Sequence, residues 1–597
     1  MNKALQVYKN QGLLELIRRI IRYFVIKILK IDLYNIRYRA WLKKTQPNYA
    51  KLQIQKFEYN PKISLLVPVY NVEKQWLEKA VESVKNQIYT NWELCITDDA
   101  STLEYIWPYL QKLAADDERI KISRNEKNSH ISVTTNNSLK FATGEWIGLL
   151  DNDDEYSPET LFEVVQQLNK NKDLALIYTD EDKILMNGKR AFPILKPDWS
   201  PETLMSIMFI AHAFFKKNVI DEIDGFRKGF EGSQDYDLVL RFTEKIRPDQ
   251  IFHITKILYH WRAISGSTAD SYSVKSYAHV AAKKALEETI SRRNLNASVL
   301  DGLTSPSFRI KYEIKNNPKI SILIPTRNRH DLVKTCIESI KNKTSYKNYE
   351  IILVDNNSDN PESLEYFETL KKELIVISYP HEFNFSAINN FAAKHASGQI
   401  LLFLNNDTEV ITSEWLTAMI EYAQQKEIGA VGALLLYPNM TVQHAGVILG
   451  IHEKENERVA GHSHKGLPFS QNGYLDRIKL IQNISAVTGA CLMIRKSLFE
   501  DVGGFNEKDL GVAFNDIDLC LRLLQKGYRN VYSPFAQLYH YESLSRGKEN
   551  DPKKVARFLK ETKYVREHWM KYILNDPYYN PNLSRTKENF ALRLFEK

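Results

Sequence analysis

The chain has 597 residues, 43% of them hydrophobic and 26% charged, the proportions of a soluble globular protein long enough for more than one core. Its net charge of +8 is misleading as a global figure: residues 1–50 hold eleven Lys and Arg against Glu15 and Asp32, and the remaining residues sum to −1. A neutral body excludes a nucleic-acid footprint spread over the domains. Cys95, Cys336, Cys491 and Cys520 show no metal or redox spacing and read as buried thiols in a reducing compartment.

The first predicted element is a helix over Leu13–Ile31, LLELIRRIIRYFVIKILKI. At 100° per residue its charged residues share one half of the wheel and Leu, Ile, Val and Phe fill the other. It is too often charged to span a bilayer and has no small-residue cleavage site. Such a helix suits the surface of an anionic membrane, or packs on the next domain with its basic face in water.

The rest of the chain says nearly the same thing twice. KISLLVPVYN (Lys62–Asn71) returns as KISILIPTRN (Lys319–Asn328), and WELCITDDAS around Asp98 returns as YEIILVDNNS around Asp355. ATGEWIGLLDNDDE (Ala142–Glu155) is echoed by ASGQILLFLNNDTE (Ala396–Glu409). GFEGSQDYDLVLRF around Asp235 is answered by GVAFNDIDLCLRL around Asp516, and ILYHWR, with His260, by QLYHYE, with His540. Five blocks in one order are a duplicated domain. The predicted division is 1–50 basic segment, 60–294 first domain, 295–317 linker, 318–575 second domain and 576–597 C-terminal tail.

Within each repeat, Ile63–Val67 or Ile320–Ile324 is a continuous β-branched run suited to a strand buried on both faces of a parallel sheet. A Pro, a polar turn, a helical segment and a second apolar run ending at Asp98 or Asp355 follow. This is a βαβ arrangement that places ligands at the carboxyl ends of strands. A further strand delivers Asp151-Asn152-Asp153-Asp154, or Asn405-Asn406-Asp407. Crowded carboxylates repel one another and invite a divalent cation, which can stabilise a departing diphosphate. The alternative is a solvated turn before the helix opened by Ser157-Pro158-Glu159.

The order PVYN, strand-end Asp, ATG followed by DxDD, the GF–DxD block and LYHWR resembles the family 2 glycosyltransferases with the GT-A fold, over about residues 60–285 and 318–545. The second half resembles rhamnosyltransferase-type enzymes of bacterial O-antigen or capsule assembly. The resemblance implies an α/β protein of two tandem GT-A domains behind a basic amphipathic helix. It implies roles residue by residue. Pro68, Tyr70, Asn71, Asp98 and Asp99, with Pro325, Arg327, Asn328 and Asp355, would bind the nucleotide. Asp151, Asp153 and His260, with Asp407 and His540, would hold Mn2+ or Mg2+. Asp235 and Asp516 would be the catalytic bases, and Asp237 and Asp518 caps or acceptor contacts.

The implied partners are UDP-, dTDP- or GDP-sugar donors, a glycan or polyprenyl-diphosphate-linked acceptor, and an anionic membrane surface. The implied place is peripheral, at the cytoplasmic face of the cell membrane. Without the resemblance, Asp235 and Asp516 are equally helix N-terminal acids favoured by the macrodipole, and His260 and His540 are packed strand-end residues. Three functional arrangements stand: a bifunctional inverting transferase, a two-site polymerase alternating two sugars, or one active domain beside a glycan-binding or scaffold domain. Asn405 in the place of Asp151 makes the second domain the suspect in the last case. The second repeat also carries 27 extra residues between Asp407 and Asp516, with His444, His452, His462 and His464. These read as an acceptor-shaping loop, a weak metal site or exposed structural histidines.

Overall fold

In the computed structural model the described residues are 33–264, 276–542 apart from 453, 455 and 456, and 551–594. The expected helix Leu13–Ile31 lies outside them. The described chain opens with α1 (Leu33–Thr45), whose Tyr38 and Trp41 are buried in a small core with Leu195, Ile257, Ile448, Tyr579 and Phe590. The end of the basic segment and the C-terminal tail are therefore packing elements shared by both repeats.

The first sheet uses β1 (Ile63–Val69), β2 (Trp92–Asp98), β3 (Ile120–Arg124), β4 (Trp146–Leu149), β5 (Glu155–Tyr156), β6 (Leu176–Ile184), β7 (Arg190–Ile194), β8 (Phe214–Lys216) and β9 (Ile251–Arg262), in the order β3-β2-β1-β4-β8-β6-β9-β5 with β7 on β6. Strands β3, β2, β1 and β4 run parallel. That is why β1 and β2 read as unbroken apolar runs: both faces are covered. Helix α2 (Gln234–Thr243) and helix α3 (Ser276–Arg292) close one face.

The expected linker is a folded hairpin, β10 (Ala297–Asp301) with β11 (Phe308–Tyr312). The second sheet then repeats the first with β12 (Ile320–Thr326), β13 (Tyr349–Asp355), β14 (Ile375–Ser378), β15 (Ile400–Leu404), β16 (Thr408–Val410), β17 (Ile428–Leu436), β18 (Cys491–Arg495) and β19 (Arg529–His540). Their order is β14-β13-β12-β15-β18-β17-β19-β16. Helices α4 (Trp415–Ala423), α5 (Asn515–Gln525) and α6 (Pro552–Leu574) complete the domain. The hairpin is bolted to α4 through Arg309 and Glu421, 2.8 Å apart and buried. Across the two sheets, Arg529 forks onto Glu202, and Asn580 donates to Asp180 at 2.8 Å.

The repeated Ala-Thr/Ser-Gly block is structural. Glu93 accepts from Ser64, Lys121 and Thr143, and Glu350 accepts from Ser321, Lys319 and Ser397. Despite desolvation, these bonds hold both carboxylates down at about 2. A Cβ on Gly144 or Gly398 would stand 2.6 or 2.5 Å from the carbonyl of Lys62 or Lys319. Only glycine lets that turn lie on the first strand.

Candidate active sites

Both repeats build the same loop at the positions where nucleotide contacts were expected. Asn71 and Asn328 have positive φ, 45° and 55°, a region Asn tolerates. Asn71 Oδ1 accepts from the backbone of Thr102 and Leu103, and Asn328 Oδ1 from Asp359 and Asn360. Asp98 and Asp355 end the neighbouring strands and accept from Ser101 N and Ser358 N. Arg124 lies 3.0 Å from Asp98. Asp99 serves the loop itself, accepting from Asn125 and Ser129. Pro68 and Pro325 occupy matching strand ends. Tyr70 is exposed, and Arg327 pairs with Asp359 at the surface.

At the end of β4, Asp151, Asp153 and Asp154 come together. Asp154 is buried and bonded to Tyr259 Oη and Arg262 N. Desolvation and then the charge of Asp151 push Asp153 up to about 6. Desolvation with both neighbours raises Asp154 further. The residue that sequence reasoning missed is His212. Its Nε2 is 3.5 Å from Asp151 Oδ2 and its Nδ1 is 3.8 Å from Glu181. The ring stacks on Tyr259 at 3.7 Å and meets the edge of Trp261 at 5.1 Å. Burial works against its charge, yet the two carboxylates hold it up at about 10. Asp151, Asp154 and His212 offer ligand atoms within 4.8 Å of one another, the one such group among the described residues. Oxygen ligands with one imidazole fit a divalent cation.

His260 is not part of that group, which corrects the expectation for it. Its Nδ1 bonds Asp182 at 2.7 Å and its Nε2 bonds Ser157 at 2.8 Å, so both ring nitrogens are used. Strand register explains why. Glu155 faces His260 on β9, whereas the matching Glu409 faces Tyr539 on β19, and Thr408 faces His540. His260 thus matches Tyr539, and His540 matches Trp261. A slip of one residue sends a side chain to the opposite face. His540 accordingly reaches the site: its Nε2 is 3.2 Å from Asp407 Oδ1 and 3.3 Å from Asn405 Nδ2. Counting back along β18 from the same pairing, Cys491 stands where His212 does. No visible sequence block could have singled out His212, because its partners arrive from β4 and β6.

Asp235 and Asp516 lie in the first turns of the matching helices α2 and α5. Desolvation pushes Asp235 up to about 6, with His212 opposing and Asp151 adding to the shift. Asp516 accepts from Gly489 N at 2.8 Å. Asp237 and Asp518 turn the other way. Asp237 is gripped by Arg227 and Arg241, and Asp518 by Arg522 and Trp569 Nε1. Arg241 and Arg522 then reach matching carbonyls, of Ile223 and Gly225 and of Val502 and Gly504. The acceptor role expected of this pair gives way to a structural one. A cleft of about 880 Å3, lined by Asp518, Tyr564 and Trp569 among others, has Asp518 but not Asp516 in its lining.

Of the histidines in the second repeat's extra segment, His444 and His464 are buried and His462 is half-buried. His444 and His462 share a hydrogen bond between their Nδ1 atoms, 2.9 Å apart. Desolvation drives His444 well down and His462 to about 4. His464 stacks on Phe590, while His452 is exposed.

Two parallel-centred sheets, each with acid at the end of its central strand and an Asp in the first turn of a matching helix, have the architecture of nucleotide-diphospho-sugar transferases. The sequence profile of "Glycosyl transferase family 2" matches residues 64–224 and 321–503, and the chain belongs to that family, with two tandem GT-A domains. It is 42% identical over 94% of its length to the uncharacterised protein y4gI of Sinorhizobium fredii. It is 35% identical over 93% to the O-antigen biosynthesis protein RfbC of Myxococcus xanthus. The chain spans 62% and 43% of the lengths of these two relatives. Among solved structures, S. aureus TarS 1–349 with UDP-GlcNAc aligns at a TM-score of 0.33 and 20% identity, over 38% of this chain and 66% of that one. Among the described residues no helix is long and apolar enough to cross a membrane.

Proposed function

We propose that each domain transfers a sugar, with inversion, from a nucleotide-sugar donor to a growing bacterial surface glycan on a lipid carrier. The supporting observation is the repeated placement of Asp235 and Asp516 in the first turn of matching helices, in sheets that carry Asp151 to Asp154 or Asp407 at the end of the same strand. An acceptor hydroxyl is a poor nucleophile, and a positioned carboxylate takes its proton as the C–O bond forms. A single base on the acceptor side gives one in-line displacement and hence inversion.

In the first site Asp151, Asp153, Asp154 and His212 would hold the divalent cation; in the second Asp407 and His540 would do so. A bound cation would stabilise the charge that develops on the leaving diphosphate. The raised Asp153 and Asp154 support the fit, since their mutual repulsion is what a cation relieves. The loops around Asn71 and Asn328, with Asp98 and Asp355, form the nucleoside side of each site. Similarity to an O-antigen biosynthesis protein supports a polysaccharide product, and the basic segment supports work at the inner membrane face.

A second reading, in which only the first domain is catalytic, is favoured by Asn405, which leaves Asp407 as the sole carboxylate of its pair. A screen of UDP-, dTDP- and GDP-sugars, read as nucleotide release, decides between them. The full chain should use two donor–acceptor pairs, with Asp235→Asn losing one and Asp516→Asn the other. If Asp516→Asn changes nothing, the second domain is not a transferase.

A further inference from the structure

Strand β6 carries three consecutive buried carboxylates, Asp180, Glu181 and Asp182, that the mechanism above does not use. Each has a different client. Asp180 receives Asn580 from the C-terminal segment. Asp182 receives His260, Arg190 and the Tyr38 hydroxyl of α1. Glu181 alone looks into the first site, between Lys196, 2.9 Å away and buried, and His212.

We propose that Glu181 is the positioning residue of the first site: it orients His212 so that Nε2 turns toward Asp151, where the two side chains would hold the divalent cation. This rests on the cation reading given above. Four observations carry it. The Nδ1 atom of His212 is buried with no hydrogen-bond partner among the described residues, and Glu181 is the carboxylate in front of it, at 3.8 Å. Tyr259 covers the ring face and Trp261 meets its edge, which holds the ring plane in line with Glu181. Lys196, buried and 2.9 Å away, pins Glu181 in turn. Finally, the register partner of Glu181 on β9 is Tyr259, while the matching partner on β19, Leu538, faces Leu435. The second domain thus puts an apolar residue where the first puts Glu181, and it has no histidine at the place of His212.

A ligating imidazole with its second ring nitrogen on a carboxylate has one tautomer and one orientation, and removing such a carboxylate costs about 10–100-fold in metal affinity or activity. Glu181 therefore acts through His212 and touches neither donor nor acceptor.

The test is Mn2+ binding, followed by electron paramagnetic resonance of free Mn2+, on the full chain carrying Asp407→Asn to silence the second site. Glu181→Gln in this background should weaken binding by about 10–100-fold. Because Glu181→Gln leaves Lys196 buried without its partner, Glu181→Gln/Lys196→Met is measured beside it, with thermal unfolding on both. The double variant should show the same loss at a melting temperature close to the parent. Unaltered Mn2+ affinity in a folded variant overturns the positioning role. Asp151→Asn in the same background separates the two ideas: if it also leaves binding unchanged, the cation reading itself has failed.

Discussion

In the first domain β9 meets the acid cluster with Tyr259 and Trp261, and His260 turns back to Asp182 and Ser157. In the second, β19 meets the equivalent cluster with His540 itself. The same strand, in the same sheet order, turns its histidine to opposite faces because the two histidines stand one position apart along it: the strand register matches His260 with Tyr539, the residue before His540. The first domain recovers an imidazole from elsewhere, His212, and backs it with Glu181; the second lacks both and uses its late histidine. Matching letters in a repeat thus fix the frame of a site and not the contents of each pocket, since a strand's two faces alternate with every residue.

The largest expected effect breaks the comparison at its common point. Asp235→Asn and Asp516→Asn should each lower the kcat of one transfer by about 10^2–10^4-fold and leave donor binding intact, as loss of a general base does. Separate assays of the two transfers check this. Loss of donor binding along with kcat would move the residue from base to donor contact.

The histidines sharpen the difference. His540→Ala should weaken Mn2+ at the second site and lower its transfer by about 10–100-fold. His260→Ala should spare Mn2+ binding at the first site. Its cost should appear as stability, about 1–3 kcal/mol for leaving buried polar partners unsatisfied, read by denaturant unfolding. Equal catalytic losses from the two variants would erase the one-residue offset as an explanation.

A smaller effect concerns pH. A base must be unprotonated to accept a proton, and desolvation places Asp235 at about 6. The first transfer's kcat/KM should therefore fall as pH drops through about 6, roughly tenfold for each unit below it. A stability change accompanies strong acid. Glu93 and Glu350 are both held at about 2 in the fold, below the ordinary value of 4.5. Their contribution is complete above pH 4.5 and is lost as pH falls toward 2. Glu93→Gln/Glu350→Gln should flatten acid unfolding in that window. Unaltered acid midpoints would show that these networks do not stabilise either sheet.

Much of this was legible in the chain. The duplication, the parallel strands and the strand-end acids follow from apolar runs and their punctuation, because β1 and β12 are covered on both faces. Asp98, Asp151, Asp235 and their echoes were visible because each sits at a strand end or a helix start. His212 was not, since its role depends on β6 and β9 arriving beside it. His260 was misread because a repeated Leu-Tyr-His conceals a change of face. Asp237 and Asp518 read as caps or acceptor contacts; their arginine partners lie one helical turn on, at Arg241 and Arg522, and so were in plain view. The expected linker folds as a hairpin because Arg309 and Phe308 find partners on both domains.

The last and smallest effect on the folded domains comes from the basic head. Removing residues 1–32 leaves α1, with Tyr38 and Trp41, in place, and both transfers to a soluble acceptor analogue should persist. Binding to anionic vesicles should be lost, at about 1 kcal/mol for each basic residue near such a surface, and full-length binding should weaken with salt. Removing residues 1–45 is a different experiment. It strips Tyr38 from Asp182 and Trp41 from Ile257 and Phe590, and two buried aromatic side chains are worth about 1.5–3 kcal/mol each. The longer deletion should therefore lower the melting temperature, whereas the shorter should not. Cosedimentation and thermal unfolding on the two truncations separate surface binding from packing. If the 1–32 deletion binds vesicles as well as the full chain, the amphipathic segment has no membrane role; if the 1–45 deletion unfolds no earlier, α1 is not part of the core that joins the two domains.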